Sequence, residues 1–147
     1  ELLYSIASDP FLCKPPPKST GRDLFNPDWL KSHLALFGPL KPADVQATLC
    51  TYTAYACSQD ILRYAPEASQ LIVCGGGALN CELMRQMSAH VPNIPVVSSD
   101  AYGLPPLQVE ATAFAWLAYK TLRRETSSLP SVTGARGARV LGAIYPR

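Results

Sequence analysis

The chain has 147 residues, 48% of them hydrophobic, with 13 basic and 11 acidic side chains and a net charge of +2. That length fits one domain with a core of its own. The charges are scattered, with no basic stripe or acidic tail, so nothing marks a binder of nucleic acid or of an anionic membrane surface, and no apolar run approaches bilayer-spanning length.

The opening segment "ELLYSIASDP" reads as the tail of a helix closed by Asp9-Pro10. It begins with Glu1 rather than Met, which suggests a fragment or an excised domain. Residues 11–26, "FLCKPPPKSTGRDLFN", contain three prolines in a row, which forbid helix and favour an extended path. Asn26-Pro27 is a helix start, an N-cap candidate followed by proline at the first helical position. The helix "PDWLKSHLALF" ends near Gly38-Pro39. Pro42 opens a long helix over 42–64, with Val45, Leu49, Tyr52 and Ala56 on one face and Pro66 beyond its end.

Residues 70–74 form an apolar strand that runs into Gly75, Gly76 and Gly77. A helix over 79–91 follows, with Leu79, Leu83 and Met87 as its buried stripe. Asn80 is placed to cap it, Glu82 suits its positive end, and Pro92 stops it. "IPVVSS", 94–99, is a second strand. After Pro105-Pro106 comes a helix over 107–123 whose middle, "ATAFAWLAY", is apolar nearly all round, which predicts a sandwiched helix. "SSLPSVTGARGA" is a loop. "RVLGAIYP", 139–146, reads as a last strand or a buried extended tail.

The alternation β-α-β-α implies an α/β layer with parallel neighbouring strands. Two or three strands against four helices are too few to cover both faces, which again suggests missing chain. The cysteines, Cys13, Cys50, Cys57, Cys74 and Cys81, are odd in number and lack a C-x-x-C pair. They read as buried free thiols of a reducing compartment. His33 and His90 are the only histidines and lack zinc-ligand spacing.

The glycines at 75–77 sit where open α/β sheets bind ligands, beyond the carboxyl end of a strand. Glycine lets a flat or anionic group approach the backbone, and the following helix aims free N–H groups at the same space. A nucleotide site fits this pattern; a simple tight strand-to-helix turn also accounts for it. The phosphate-loop pattern G-x-x-x-x-G-K-[ST] is absent, and Lys18-Ser19-Thr20 lacks the earlier glycine. The dinucleotide pattern G-x-G-x-x-G half matches, with Asn80 at its third glycine and Asp100 after the second strand near the expected ribose-binding acid, although Asp100 reads better as a cap of the loop after its strand.

The strings "LIVCGGGALN", "VEATAFAWLAYKTL" and "LPSVTGARGARVLGAIYP", preceded by "PPPKSTGRDLFNPDWL", are colinear over essentially the whole chain. Together they resemble the carboxy-terminal part of the anhydro-N-acetylmuramic acid kinases, members of the sugar kinase and actin superfamily. The resemblance implies an α/β fold, part of a ribonuclease-H-like (actin-like ATPase) lobe with a short, mainly parallel sheet and flanking helices. It implies a single domain over 1–147, one lobe of a two-lobe enzyme whose amino-terminal lobe is missing.

It further implies ATP and Mg2+, with an anhydro amino sugar as the small-molecule substrate. The chemistry would open 1,6-anhydro-N-acetylmuramic acid with water and phosphorylate the 6-oxygen, giving N-acetylmuramate 6-phosphate in cell-wall recycling in the bacterial cytoplasm. Position by position, Gly75, Gly76, Gly77 and Asn80 match the element that holds the adenosine end of ATP. Glu110 matches a glutamate expected near the sugar; its alternative is a first-turn acid suited to the helix dipole. Lys18, Ser19, Thr20, Gly21 and Arg22 match a family block with no assigned role, read as a structural surface crossing with a cleft-lining role as its alternative.

Two departures stand out. Asp23 replaces a frequent glutamate, and Leu107-Gln108 replace a common acid. The family's phosphate-binding glycine loop and its general-base aspartate have no match, so these residues alone are expected to be inactive. An incomplete sheet should self-associate, as a homo-oligomer, or need a partner. The alternatives are a non-catalytic nucleotide-binding module and a dinucleotide-dependent oxidoreductase domain.

Overall fold

The structure, a computed structural model, describes residues 1–146. Seven helices and two strands occur among them: α1 (Leu2–Ala7), α2 (Pro10–Cys13), α3 (Pro27–Leu34), α4 (Pro42–Tyr64), β1 (Leu71–Val73), α5 (Cys81–His90), β2 (Val96–Ser98), α6 (Val109–Leu122) and α7 (Pro130–Thr133). Short 3-10 turns at Gly76–Leu79, Ser99–Tyr102 and Pro106–Gln108 lead into or out of these elements.

The helical half is organised by α4. Its predicted bounds are the observed ones. Tyr52 projects toward α1 and α3 and joins Leu2 and Ile6 in the core, with Phe25, Trp29, Leu34, Val45 and Leu49 packed around it. Phe25 stands edge-on to Trp29 at 5.1 Å and to Tyr52 at 6.1 Å between ring centroids. Edge-to-face contact brings the positive ring edge onto the negative face. Burial, with Asp9 adding its negative charge, pushes the Tyr52 phenol up to about 12.

Residues two apart on a helix point about 200° apart. Ala54, and Ser58 one turn on, are therefore on the opposite side of α4, and both are fully buried. That side receives α5, which packs extensively on α4 and places His90 edge-on to Tyr55 at 6.3 Å. Small side chains allow this close approach. Met87, Val91 and Ile94 are the buried apolar groups of the α5 segment.

Local chemistry sets the helix starts. Asn26 caps α3 by accepting from Trp29 N at 2.8 Å, with Pro27 at the first position. Asp9 does more than end α1: one carboxylate oxygen accepts from Phe11 N at 2.8 Å and the other from Trp29 Nε1 at 3.0 Å. The extended path expected over 11–26 is thus interrupted at its start by α2, because Asp-Pro is itself a helix start. The block at 18–22 is structural where it can be followed. Lys18 Nζ lies 2.7 Å from Asp60 Oδ2 on α4 and 3.3 Å from Leu12 O, and it crosses the Phe11 ring at 5.3 Å.

The α/β half is small. β1 and β2 pair in parallel, in the register Leu71↔Val96, Ile72↔Val97, Val73↔Ser98, joined through α5. Three expectations fail here. Residues 139–146 form no strand and are exposed; Thr121 Oγ1 donates to Leu141 O, so the tail follows α6 instead of a sheet edge. Helix α6 is not sandwiched: Phe114 is 64% exposed, and Trp116, Tyr119 and Leu122 also face outward. The cysteines are free but not buried; Cys13, Cys57, Cys74 and Cys81 are exposed and Cys50 half-buried.

Ile6 is fully buried at the centre of the helical core. Replacing it with alanine removes its burial and leaves a cavity, and Ile6→Ala should lower unfolding free energy by about 2–5 kcal/mol in urea denaturation. The helical circular dichroism of the surviving folded state should be unchanged.

Candidate functional site

Both strands end at the same edge of the sheet, because they are parallel. Beyond β1 lies the glycine turn, and beyond β2 lie the 3-10 turns that lead into α6. A hydrogen bond from Gly75 N to Pro106 O, 2.9 Å, ties these two stretches together. The rim therefore gathers the glycine backbone, the N-terminus of α5 and the N-terminus of α6. Carboxyl edges of parallel sheets bind ligands for this reason: loops and helix N-termini converge there.

The three glycines have different local reasons. Gly75 adopts φ +75°, ψ −171°, a conformation essentially restricted to glycine. A side chain on Gly77 would meet Leu83 Cδ2 at 3.3 Å, tighter than ordinary packing allows. Gly76 has neither constraint. It is exposed, its φ is outside the glycine-favouring range, and a Cβ there would find nothing within 4 Å. The same is true of the space beside Gly75. The backbone at this edge is thus bare and open, not plugged by the protein's own side chains.

Asn80 caps α5. Its Oδ1 accepts from Glu82 N and Leu83 N, each at 3.1 Å. Its carbonyl oxygen is thus committed to the helix. Glu82, in the first turn, accepts from Arg85 at 2.8 and 2.7 Å and from Gln86 at 2.8 Å. The Arg85 hydrogen bonds and then that of Gln86 hold its carboxyl down at about 2.

Glu110 is exposed in the first turn of α6, four residues after Pro106, whose carbonyl is tied to Gly75. It takes part in no ion pair among the described residues. The fold brings it to the same rim as the glycines. Asp100 does not cap the loop with its side chain; Ser98 does, accepting from Asp100 N at 3.2 Å. Leu79, expected in the buried stripe of α5, is 61% exposed on the glycine turn instead. The sequence stripe failed there because the chain makes a 3-10 turn before Asn80, which rotates Leu79 away from the line of Leu83 and Met87.

Among the described residues, no group of three or more His, Cys, Asp or Glu could hold a metal ion, so a Mg2+ ion accompanying a nucleotide finds no ready donor set here. Among the described residues, no helix is long and apolar enough to cross a membrane.

A parallel β-α-β unit with flanking helices makes this an α/β protein. The chain belongs to the anhydro-N-acetylmuramic acid kinase family, which it matches over residues 1–147. It is 61% identical over 145 residues to the anhydro-N-acetylmuramic acid kinase of Variovorax paradoxus (strain S110), covering 99% of this chain and 39% of that protein. It is 58% identical over 146 residues to the protein of that name from Albidiferax ferrireducens, covering 99% and 38%. With that of Cupriavidus metallidurans the identity is 53% over 148 residues, covering 99% and 39%. The chain spans about two-fifths of the length of these relatives. All three are named as kinases, which lends the oxidoreductase alternative no support.

Removing the Asn80 cap orphans two backbone donors, and Asn80→Ala should cost about 1 kcal/mol of stability while Asn80→Asp retains most of it. The Glu82 carboxyl should titrate by NMR with a midpoint of about 2. Because its folded value is depressed, its contribution is present above the ordinary carboxylate range and is lost as pH falls through that range toward 2. Arg85→Ala should return the midpoint toward 4.5.

Proposed function

We propose that the chain is the adenosine-binding, carboxy-terminal part of an ATP-dependent kinase acting on 1,6-anhydro-N-acetylmuramic acid. The reaction is hydrolysis of the anhydro bond with phosphorylation of the sugar, giving N-acetylmuramate 6-phosphate. Support comes from family membership and, within the molecule, from one observation: the glycine backbone at the end of β1 is open, and Gly76 has no local reason to be glycine. On this reading Gly75, Gly76 and Gly77 let the adenosine end of ATP lie against the backbone. The free amide nitrogen of Asn80 and the N-terminus of α5 supply donors. Glu110, on the same rim, faces the sugar. Mg2+ would travel with the ATP phosphates, and the rest of the polypeptide would hold it.

Phosphoryl transfer needs a phosphate clamp and a positioned base. Neither is among the groups gathered at this rim, so the 147 residues by themselves should release no ADP in the presence of ATP and the anhydro sugar. The fold assigned by resemblance, one ribonuclease-H-like lobe of a two-lobe cytoplasmic enzyme, belongs to the same proposal.

Gly76 provides the direct test. A Cβ there meets nothing in the protein, so Gly76→Val should melt close to the parent. It should nevertheless weaken ATP binding by about tenfold or more in calorimetry, because the side chain fills the space proposed for the nucleotide. Unchanged ATP affinity in a folded Gly76→Val protein would rule out the seat.

Glu110→Gln, in the complete enzyme, should lower kcat/KM for the sugar by about 10- to 100-fold, the value of a charged hydrogen bond. It should leave ATP affinity unchanged. An equal loss for both ligands would assign Glu110 to the nucleotide or to the helix instead.

A further inference from the structure

Helix α6 is 14 residues long and buries none of them. A helix of that length is marginal in water by itself and draws its stability from packing on a neighbour. Its large apolar side chains form a broad band. At about 100° per residue, Phe114, Leu122, Tyr119 and Trp116 spread over roughly 200° of its circumference. All four face water, from 49% to 72% exposed. Thr121 Oγ1 donates to Leu141 O and holds the tail along one flank, where Phe114, Leu117, Leu122 and Ile144 border an open cavity of about 500 Å³. Beside the band, Lys120 and Arg123 share the carboxylate of Glu125, and Arg124 has no ion pair among the described residues.

We propose that the outer face of α6 and the tail beside it form a docking surface, covered in the complete enzyme by polypeptide outside these 147 residues. Two observations favour that occupant over a second copy of this chain. The first is angular width. A helix that meets one partner face needs an apolar stripe of about 100°, so a two-fold contact between two copies of α6 would leave much of the band in water. The second is length. The matched region is 39% of the Variovorax paradoxus relative and 38% of that from Albidiferax ferrireducens, so more polypeptide lies outside it than within. The cations set the chemistry of the covering surface: apolar in the middle, with carboxylates where Lys120, Arg123 and Arg124 reach its edge. This cover rests on the reading of the chain as part of a longer kinase and is independent of the nucleotide seat, so its failure leaves the Gly76 test standing.

The test is hydroxyl-radical footprinting, read by mass spectrometry, on the 147-residue chain and on the complete enzyme. Phe114, Trp116 and Tyr119 should be oxidised readily in the chain and should lose most of that oxidation in the complete enzyme. Equal oxidation in the two proteins overturns the proposal. Protection in the 147-residue chain that grows with its concentration also overturns it, since a second copy would then be the cover. A substitution adds an independent measurement. Phe114→Glu should lower the thermal midpoint of the complete enzyme by about 5–10 °C, because it places a charge under apolar cover. It should leave the midpoint of the chain unchanged, because the side chain is 64% exposed there. Phe114→Leu, which keeps an apolar group, should cost the complete enzyme much less. A Phe114→Glu protein that melts like its parent in both forms, or falls equally in both, overturns the docking surface.

Discussion

The two-sided packing of α4 is the constraint on which the rest depends. One side carries Tyr52 into an aromatic and aliphatic core with α1 and α3. The other side carries the fully buried Ala54 and Ser58, and α5 packs on α4. The position of α5 fixes its cap, Asn80, and the cap fixes where the glycine turn leaves β1. A site made of backbone has no side chain to adjust, so it inherits its geometry from whatever holds the helix behind it. Here that is the 23-residue helix α4.

Much of this was legible in the sequence where a residue has only one local role. Pro42, Asn26-Pro27 and Asn80 announce helix starts, because a proline without an N–H and a side-chain acceptor fit only there. The parallel β-α-β order followed from the alternation of apolar runs with a capped helix. Asp9-Pro10 was legible only in part: it ends one helix, and the same pair starts α2. The second side of α4 was not legible, because Ala54 and Ser58 are too small to register in a hydrophobic pattern, although their smallness is what admits α5. For the site, the glycines and Asn80 could be read from sequence. The tie from Gly75 to Pro106 could not, since a backbone hydrogen bond across 31 positions leaves no mark on residue type.

The errors at the carboxy-terminal end share a cause. Apolar composition predicts burial without naming the surface that provides it. Helix α6 has the girth of a sandwiched helix, yet Phe114, Trp116, Tyr119 and Leu122 face water. Cations sit on two of these rings, Lys120 over Trp116 at 5.4 Å and Arg123 over Tyr119 at 5.3 Å. The tail over 141–144 and α6 border a cavity of about 500 Å³ lined by Phe114, Leu117 and Ile144. The relatives are about two and a half times longer than the matched region. On the proposed reading, the additional polypeptide covers α6, and "RVLGAIYP" would keep its strand-like composition for a neighbour supplied there.

The glycine triplet separates what folding asks of a sequence from what a ligand asks. Gly75 is favoured by its own φ, and a Cβ on Gly77 would press on the end of the Leu83 side chain. Both positions therefore have a local reason to be glycine. Gly76 has no such need: its backbone is one any residue adopts, and the space beside it is empty. Glycine in a 3-10 turn costs conformational entropy that alanine would save, about 0.5–1 kcal/mol. On the proposed reading, a nucleotide that lies against the backbone is what this position accommodates at that cost.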